Sequence, residues 1–377
     1  MIIGVLKEPS PETRVSLLPE HITILKKWNV EVCIETTAGI TAFVSDEKYA
    51  EAGATIRSRN EVLQRSDIIL GIHAPDKSEI DNLPTGQAGL KSKILLGVYQ
   101  PLFNAALIKE LAEKGLTVFS MDMLPRTTRA QSMDVLSSQA NIAGYKAVLL
   151  ASNVFPKYFP MFMTAAGSIP PAKLLILGAG VAGLQAIATG RRLGAVVEVF
   201  DTRPAVKEEV MSLGAKFIEV EGAADASKAG GYAVEQSEDF MQRQKAKIAE
   251  SVAKADIIIT TAQIPGKKAP ILITAEMMEA MKSGSVIIDL AAATGGNTDF
   301  TKNEETVIHH GVSIIGNSNL PASMPSDASK LYGKNILNFL QLMIDKEGKF
   351  NLNFEDDLVK GTCVAHDGVI TNERIAP

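Results

Sequence analysis

Cysteine and histidine are scarce in this sequence of 377 residues. It has two cysteines, Cys33 and Cys363, and five histidines. Two cysteines cannot form a disulfide framework, and no stretch combines histidine, cysteine and carboxylates at the spacing of metal ligands. The sequence therefore predicts no metal site, and a protein of a reducing compartment, the cytoplasm.

Aromatic residues, excess positive charge and long apolar segments are lacking as well. Aromatic residues make up 5% of the chain and the net charge is −5. The chain has few aromatic side chains that could stack on bases and no excess positive charge that would attract phosphates, so we expect no nucleic-acid partner. No apolar run reaches the roughly 18–20 residues that cross a bilayer, so we expect no direct membrane insertion.

What the chain has in quantity is hydrophobic residues, 46% of the total, arranged as alternating short strands and amphipathic helices. This alternation predicts the α/β class, and the length suits two domains. We expect two Rossmann-like domains with parallel wound sheets, separated by a cleft. The predicted N-terminal domain is residues 1–137 plus 327–377, where a helix over 326–345 returns to it, and the second domain is residues 138–326.

Six strands are predicted in the second domain, the count of a full dinucleotide fold. They are Leu174–Leu177, Val196–Phe200, Lys216–Val220, Asp256–Thr261, Ser285–Asp289 and Val312–Gly316. Residues 121–168 are interpreted as the crossing between the domains. An insertion over 221–250 is predicted to be a mobile surface loop followed by a helix.

Residues 172–201 carry the most specific signal. A short apolar strand ends in a G-x-G-x-x-G turn, a helical segment follows, and a second apolar strand ends at Asp201. This is the dinucleotide-binding pattern in its strand–helix–strand context. Gly178 permits the sharp turn, Gly180 admits the pyrophosphate, and Gly183 lets the helix pack on the sheet. The helix N-terminus at Val181 offers free N–H groups to the phosphates.

The end of the second strand predicts which nucleotide is bound. The Asp201 carboxylate is expected to accept hydrogen bonds from the adenosine ribose and to repel a 2′-phosphate, which favours NAD(H) over NADP(H). Thr202 and Arg203 complete this predicted adenosine site. Arg203 leaves the opposite preference open, because an arginine can bind a 2′-phosphate. A glycine-rich turn that binds no nucleotide is the other alternative.

Few residues of the chain suit a general acid/base, whereas one polar segment contains several candidate site residues. Among the histidines only His73 follows a strand end, as a residue in a cleft would. The segment 126–138 is rich in hydrogen-bonding groups. Arg126, Gln131, Asp134 and Ser137 suit a network that orients a carboxamide or pyrophosphate. An interdomain hinge whose polar side chains satisfy backbone groups explains the segment equally well.

These stretches together resemble the alanine dehydrogenase and nicotinamide nucleotide transhydrogenase family over nearly the whole chain. The resemblance rests on Gly4–Glu8, Glu12–Val15, Arg126–Gly144, Gly178–Gly183, Gly230–Tyr232 and Thr260–Ala262. Within the family, the chain is most similar to the NAD(H)-binding alpha subunit, or domain I, of proton-translocating transhydrogenases.

The resemblance implies roles for individual residues. Arg126, Gln131, Asp134 and Ser137 would orient the nicotinamide, and Gly231 and Tyr232 would close over the nucleotide as a lid. Further nucleotide contacts are expected at Thr127, Thr128, Arg129, Ser132 and Met133, which all lie in the polar segment 126–138. Gln244 and Gln263 are assigned by position alone, Gln244 because it follows the lid and Gln263 because it follows the strand end at Thr260–Ala262.

The resemblance also implies partners. The chain would form a homodimer and dock on membrane-spanning and NADP(H)-binding subunits at the cytoplasmic membrane. It would supply NAD(H) for hydride transfer to NADP+ on a partner subunit, and proton translocation would take place in the membrane subunits.

Differences from alanine dehydrogenase favour the transhydrogenase subunit over an amino-acid dehydrogenase. The region of Ala74 lacks that enzyme's substrate lysine, and Tyr99-Gln100 stands where it has a catalytic histidine. Hydride transfer between two nicotinamides moves no O–H or N–H proton and needs neither group. Arg14, which resembles the carboxylate-binding arginine, keeps an amino-acid or opine-type dehydrogenase as an alternative. An NAD-sensing regulatory module is the non-enzymatic alternative.

Overall fold

A computed structural model describes residues 1–83, 93–220 and 237–375. The strands, in chain order, are β1 (Ile2–Val5), β2 (Glu31–Glu35), β3 (Thr55–Arg57), β4 (Ile68–Leu70), β5 (Ile94–Gly97), β6 (Thr117–Ser120), β7 (Phe162–Thr164), β8 (Gly167–Ile169), β9 (Lys173–Leu177), β10 (Val196–Phe200), β11 (Lys216–Phe217), β12 (Ile257–Thr260), β13 (Val286–Asp289), β14 (Glu305–His309), β15 (Val312–Gly316), β16 (Cys363–His366) and β17 (Val369–Ile370).

Helices follow most of the parallel strands. In chain order they are α1 (Pro19–Lys27), α2 (Asp46–Ala52), α3 (Arg59–Arg65), α4 (Lys77–Asp81), α5 (Ala105–Glu113), α6 (Val135–Val154), α7 (Val181–Arg192), α8 (Lys207–Ser212), α9 (Glu238–Val252), α10 (Ala275–Glu279), α11 (Pro325–Leu340) and α12 (Asp357–Thr362). Within the described ranges, none of these helices combines the length and apolar character that crossing a membrane requires.

The chain divides into two compact units, Met1–Gln139 with Ala322–Pro377, and Ala140–Pro321. The first unit contains an eight-stranded sheet in the order β17-β16-β6-β5-β4-β1-β2-β3. The six strands from β1 to β6 pair in parallel, and β16 and β17 add an antiparallel edge. Because helices cover both faces, adjacent residues of one strand enter opposite cores, such as Ile68 and Ile69 of β4.

The second unit contains a seven-stranded sheet in the order β11-β10-β9-β12-β13-β15-β14. Strand β9 lies between β10 and β12, with Ile176 opposite Val199 on one side and Ile259 on the other. The chain leaves β9 towards β10 and later returns on the other side to β12, so the strand order reverses at β9. In open parallel sheets, ligands bind at the carboxyl ends of the strands where this reversal occurs.

Two parallel-sheet α/β domains were predicted, and this prediction is confirmed. The six predicted strands of the second sheet are present, but β14 and the hairpin of β7 and β8 were missed. Strand β14 is an antiparallel edge strand, and the hairpin strands consist of three exposed residues each. Such strands show no buried apolar alternation, so the sequence pattern did not predict them. Helix α11 ends at Leu340, earlier than predicted.

The start of α1 depends on a buried histidine. The backbone N–H of Leu18 donates to Nδ1 of His21 at 2.9 Å, and His21 is 2% exposed. A Cβ on Gly333 of α11 would lie 2.5 Å from the same nitrogen, so glycine at 333 makes room for the ring. Burial lowers the pKa of His21 to about 4, since a protonated ring would lose both its solvation and its acceptor nitrogen.

We expect the stability of the chain to fall on acidification because of His21. The stabilisation that comes from its neutral ring is complete above about pH 6.5 and is lost as the pH falls towards 4. Replacing His21 with Gln should therefore flatten the pH dependence of the free energy of unfolding between pH 7 and 4.5, by about 1–3 kcal/mol. Urea denaturation at several pH values measures this. The exposed His310→Asn variant is the control, and an equal slope in the His21 variant and wild type would contradict the assignment.

Candidate nucleotide-binding site

The turn after β9 requires glycine at two positions. Gly178 has a φ of +109°, and a Cβ there would lie 2.3 Å from Oγ1 of Thr261. A Cβ on Gly183, in the first turn of α7, would lie 1.9 Å from the carbonyl oxygen of Gly178. Both contacts are far shorter than any real Cβ contact, so backbone conformation and close packing explain these two glycines without a ligand.

Gly180 differs from both. Within the described residues, no atom lies within 4 Å of the position that its Cβ would occupy, so packing among these residues does not require a glycine there. Helix α7 begins at the next residue, and the N–H groups of its first turn have no partners within the helix. An open backbone next to free N–H groups fits a phosphate group, which binds both by hydrogen bonds and by the positive end of the helix dipole.

Helix α6 approaches the same turn from its other side. A Cβ on Gly144 would lie 2.0 Å from the carbonyl oxygen of Ala182, so the two helices touch through backbone. Sequence reasoning did not assign a role to Gly144, because a single glycine within a helical segment has no local signature of contact with a distant helix.

Asp201 is bonded to the glycine turn itself. Its Oδ2 accepts the backbone N–H of Ala179 at 2.7 Å, although the carboxylate belongs to the end of the neighbouring strand. Arg203 donates to the same carboxylate from its backbone N–H at 2.8 Å, from Nε at 2.9 Å and from Nη2 at 2.7 Å. These bonds to Asp201 raise the pKa of Arg203. Thr202 lies half-buried between the two.

The end of strand β12 holds the turn from the opposite side. The backbone N–H of Thr261 donates to the carbonyl of Leu177 at 2.9 Å, and its Oγ1 donates to the Gly178 carbonyl at 3.1 Å. The Gln263 side chain, a predicted nucleotide contact, donates to the carbonyl of Leu290 at 3.1 Å. The loop after β12 is therefore tied both to the glycine turn and to the loop after β13.

A buried amide fixes this loop, and sequence reasoning missed it. Asn297 is fully buried and pairs with both backbone groups of Ala262, at 3.0 Å to the N–H and 2.9 Å to the carbonyl. The backbone N–H of Asn297 in turn donates to buried Asp289 at 2.6 Å. These bonds join residues remote in sequence, so no local pattern could have revealed them.

Two further groups of predicted contacts are not joined to the turn. Gln244 lies half-buried in α9, and no hydrogen bond within the described residues connects it to the glycine turn. Gly231 and Tyr232, the predicted lid, lie outside the described residues.

The polar segment belongs to the first unit and forms a 3-10 helix over Thr128–Met133. Ala130 and Met133 are buried in the core, so the side chain of Met133, a predicted nucleotide contact, packs within the protein. The remaining predicted contacts of the segment are exposed: Arg126, Thr127, Thr128, Arg129, Gln131 and Ser132. The segment therefore has polar side chains on its surface, while Ala130 and Met133 fix it to the hydrophobic core.

Asp134 and Ser137 lie together at the start of α6. Ser137 donates its backbone N–H to the Asp134 carboxylate at 2.9 Å and its hydroxyl at 2.6 Å. This is the geometry of a helix cap, worth about 1 kcal/mol. The carboxylate thus satisfies a backbone N–H group, the structural role that the sequence analysis gave as the alternative for this segment.

Two contacts from elsewhere in the first unit hold the segment. Arg129 pairs with the carboxylate of Asp356 at 2.6 and 2.7 Å and also with Asp357. Asn335 and Asn338 of α11 both donate to the carbonyl oxygen of Ser132 at 2.8 Å. The predicted nucleotide contact of Arg129 would compete with its carboxylate partners.

His73, the histidine singled out from the sequence, is paired with a carboxylate. Its Nδ1 lies 3.0 Å from the buried Glu8 carboxylate, which also accepts the backbone N–H groups of Ile72 and His73. The bond to Glu8 raises the pKa of His73. Arg14 is likewise engaged, by Glu12 at 2.6 and 2.8 Å and by Gln139 at 2.8 Å.

No group of three or more His, Cys, Asp or Glu side chains in the described ranges could hold a metal ion. The features that remain are a parallel sheet with a strand-order reversal, a glycine turn at its central strand and an acidic residue at the end of the next strand. These define the class of dinucleotide-binding α/β proteins.

Comparison with known proteins narrows this class to a family. The model "Alanine dehydrogenase/PNT, N-terminal domain" matches residues 4–143 and "Alanine dehydrogenase/PNT, C-terminal domain" matches residues 147–373. The chain therefore belongs to the alanine dehydrogenase/PNT family, as its motifs predicted. Membership, together with the glycine turn, makes the second unit a nicotinamide-nucleotide-binding domain.

Relatives within the family are similar to this chain along its whole length. The chain is 45% identical to a Rhodospirillum rubrum protein named as the first segment of NAD(P) transhydrogenase subunit alpha, over 100% of this chain and 99% of that protein. It is 44% identical to "NAD(P) transhydrogenase subunit alpha" of Haemophilus influenzae, over 100% of this chain and 72% of that protein. The crystal structure of transhydrogenase from Sinorhizobium meliloti matches with a TM-score of 0.88 at 42% identity, covering 98% of this chain and 100% of that one.

Two glycine variants should separate packing from ligand binding. Gly183→Ala brings a Cβ against the Gly178 carbonyl and should lower the free energy of unfolding by about 1–3 kcal/mol. The new methyl group of Gly180→Ala meets no atom of the described residues, so this variant should change the free energy of unfolding by less than about 0.5 kcal/mol. It should nevertheless weaken NADH binding by roughly tenfold or more, since the methyl group would obstruct the phosphate. Urea denaturation and fluorescence titration with NADH measure the two effects. Unchanged NADH affinity in Gly180→Ala would show that the nucleotide does not approach this backbone.

Proposed function

We propose that this chain is the NAD(H)-binding subunit of a proton-translocating NAD(P) transhydrogenase. It passes hydride between NADH and NADP+ bound on a partner subunit, and the reaction is coupled to proton movement in membrane-spanning partners. The observation that carries the proposal is the end-to-end similarity to the Rhodospirillum rubrum transhydrogenase alpha protein, at 45% identity. The chain would work in the cytoplasm, on the surface of the membrane that holds its partners.

The nucleotide site of the proposal lies on the second unit. Gly178, Gly180, Val181 and Gly183 hold the pyrophosphate, and Asp201, Thr202 and Arg203 surround the adenosine ribose. Gly231 and Tyr232 close over the nucleotide, with Gln244 and Gln263 as further contacts. The free N–H groups at the start of α7 support the pyrophosphate assignment, and the placement of Asp201 beside Ala179 supports the ribose assignment.

In the proposed reaction, the residues of the chain position the nucleotide and transfer no proton. Bound NADH supplies a hydride at its nicotinamide ring, and no O–H or N–H proton moves with it. Arg126, Gln131, Asp134 and Ser137 orient the ring for transfer, while Thr127, Thr128 and Ser132 contribute polar groups of the same exposed surface. Holding two reacting groups in line and without intervening water removes much of the barrier to such a reaction.

Arg14 argues against oxidation of an amino acid by this chain alone. In such an enzyme its guanidinium would bind the substrate carboxylate, as the family resemblance suggests. Here Glu12 accepts hydrogen bonds from Nε and Nη2 of Arg14, and Gln139 accepts one from Nη1. A substrate carboxylate would have to displace Glu12, whose pKa is lowered even though burial opposes this, because Arg14 is bonded to it.

One assay separates the candidate functions. Purified chain is mixed with NADPH and an NAD analogue of distinct absorbance, with and without an NADP(H)-binding partner subunit. Reduction of the analogue only when the partner is present supports the transhydrogenase. Alanine- or oxoacid-dependent turnover by the chain alone would establish the amino-acid dehydrogenase instead, and tight NADH binding without turnover in either mixture would indicate a sensor.

We expect the Asp134 carboxylate to act beyond its role as a helix cap. Asp134→Ser retains a capping oxygen but removes the charge, whereas Asp134→Ala removes both. Both variants should lower the rate of partner-dependent hydride transfer by at least about tenfold, while only Asp134→Ala should lower the stability, by about 1 kcal/mol. Single-turnover absorbance and urea denaturation are the measurements. Full activity in Asp134→Ser would reduce the role of Asp134 to capping.

The hairpin of β7 and β8 supports the homodimer of the proposal. All six residues of its strands are exposed, including Met163 at 76%, and the rings of Tyr158 and Phe162 lie 4.5 Å apart. An isolated two-stranded hairpin is marginally stable, and clustered apolar side chains on a surface mark protein contacts. A second copy related by a two-fold axis would cover both hairpins at once.

Replacing Met163 with Glu should therefore weaken self-association. The introduced charge would be desolvated at the interface, and we expect the dimer dissociation constant to rise by at least about tenfold. Sedimentation equilibrium measures it, and Ile308→Glu, at an equally exposed position of edge strand β14, is the control. Equal association of the Met163 variant and wild type would remove the hairpin from the interface.

A further inference from the structure

We propose that Asn297, held in place by Asp289, is a positioning residue for the nicotinamide ring, which it serves by fixing the loop after strand β12 without touching the nucleotide. The inference rests on the proposed function, because it takes the second unit as the site of NAD(H). It goes further by assigning a role in hydride transfer to a buried chain of contacts that begins at Asp289 and ends at the backbone of Ala262.

The sheet order places this loop in the half of the unit that faces away from the adenosine site. Strands β10 and β11 lie on one side of β9, and β12, β13 and β15 lie on the other. In a dinucleotide fold, each half of the sheet holds one half of the nucleotide across the reversal of strand order. The proposed adenosine site is at the end of β10, so the nicotinamide half belongs at the carboxyl ends of β12 and β13.

Asn297 uses every one of its hydrogen-bonding groups at this edge of the sheet. Its side-chain oxygen accepts the N–H of Ala262 at 3.0 Å, and its amide nitrogen donates to the carbonyl oxygens of Ala262 at 2.9 Å and Pro270 at 2.8 Å. Its backbone carbonyl accepts the N–H groups of Leu272 and Ile273 at 2.8 and 3.1 Å. The residue is fully buried, so its effect on a ligand passes through the backbone that it holds.

The buried Asp289 carboxylate fixes Asn297 in turn. Its Oδ2 accepts the N–H of Asn297 and the hydroxyl of Thr301, both at 2.6 Å, and its Oδ1 accepts the N–H of Ala291 at 2.9 Å. The close approach depends on Gly296, which has a φ of +78° and whose Cβ would lie 2.9 Å from Oδ2. The chain therefore returns to the end of β13 immediately before Asn297, which sets the position of its amide.

The residues after Ala262 are the ones that this chain of contacts places at the surface. Gln263 and Ile264 are both exposed, and the Gln263 side chain is tied to the loop after β13 through the Leu290 carbonyl. An apolar side chain beside an amide suits a flat ring that carries a carboxamide. A ring packed there is held only as precisely as the backbone of Ala262, and small errors of placement greatly slow a transfer between two bound groups.

The experiment compares hydride transfer with ADP-ribose binding in Asn297→Ala and Asp289→Asn. ADP-ribose has every part of the nucleotide except the nicotinamide ring. Each variant should lower the single-turnover rate of partner-dependent transfer at saturating NADH by at least about tenfold. The dissociation constant of ADP-ribose should change by less than about twofold. Val286→Ala, at the buried amino end of β13, is the control for a general loss of stability and should leave the transfer rate unchanged.

The double variant tests whether Asp289 acts through Asn297. Asp289→Asn offers one oxygen acceptor in place of two, and combining it with Asn297→Ala should lower the rate no further than the more damaging single change does. Losses that multiply would contradict transmission through Asn297.

Two results would overturn the role of Asn297 itself. One is an unchanged transfer rate in a folded Asn297 variant, and the other is a loss of ADP-ribose affinity as large as the loss of rate. Should Asn297→Ala fail to fold, Asn297→Ser takes its place, because a hydroxyl can still bond to one of the backbone groups of Ala262. Absence of partner-dependent transfer in the wild-type chain would instead overturn the proposed function.

Discussion

The site depends on one hydrogen bond, from the backbone N–H of Ala179 to the carboxylate of Asp201. It joins the glycine turn of one strand to the end of the next, and the Thr261 hydroxyl joins the same turn to the strand on its other side. The turn is thus fixed between two neighbours before any ligand arrives. A backbone held in this way would lose little conformational freedom on binding a ligand, which suits the phosphate site proposed at Gly180.

The same kind of bond explains why the residues around the turn are polar yet buried. Asp201 and Asp289 lie at the carboxyl ends of β10 and β13, where strand hydrogen bonding stops and backbone groups need new partners. Asn297 supplies both partners for Ala262 after β12, and Asp289 accepts the N–H of Asn297. The side chains that satisfy backbone groups at this edge of the sheet therefore also fix the loops around the candidate nucleotide site.

Residues 172–201 could be read from the sequence because strand, turn and helix each have a local signature there. Both parallel sheets followed from the same kind of pattern. Asn297 and Gly144 could not be predicted, since each acts on a residue remote in the chain. The hairpin at 162–169 escaped because its exposed three-residue strands lack apolar alternation. Asp134 shows a different limit: a carboxylate three residues before a serine has the same pattern whether it caps a helix or orients a ligand.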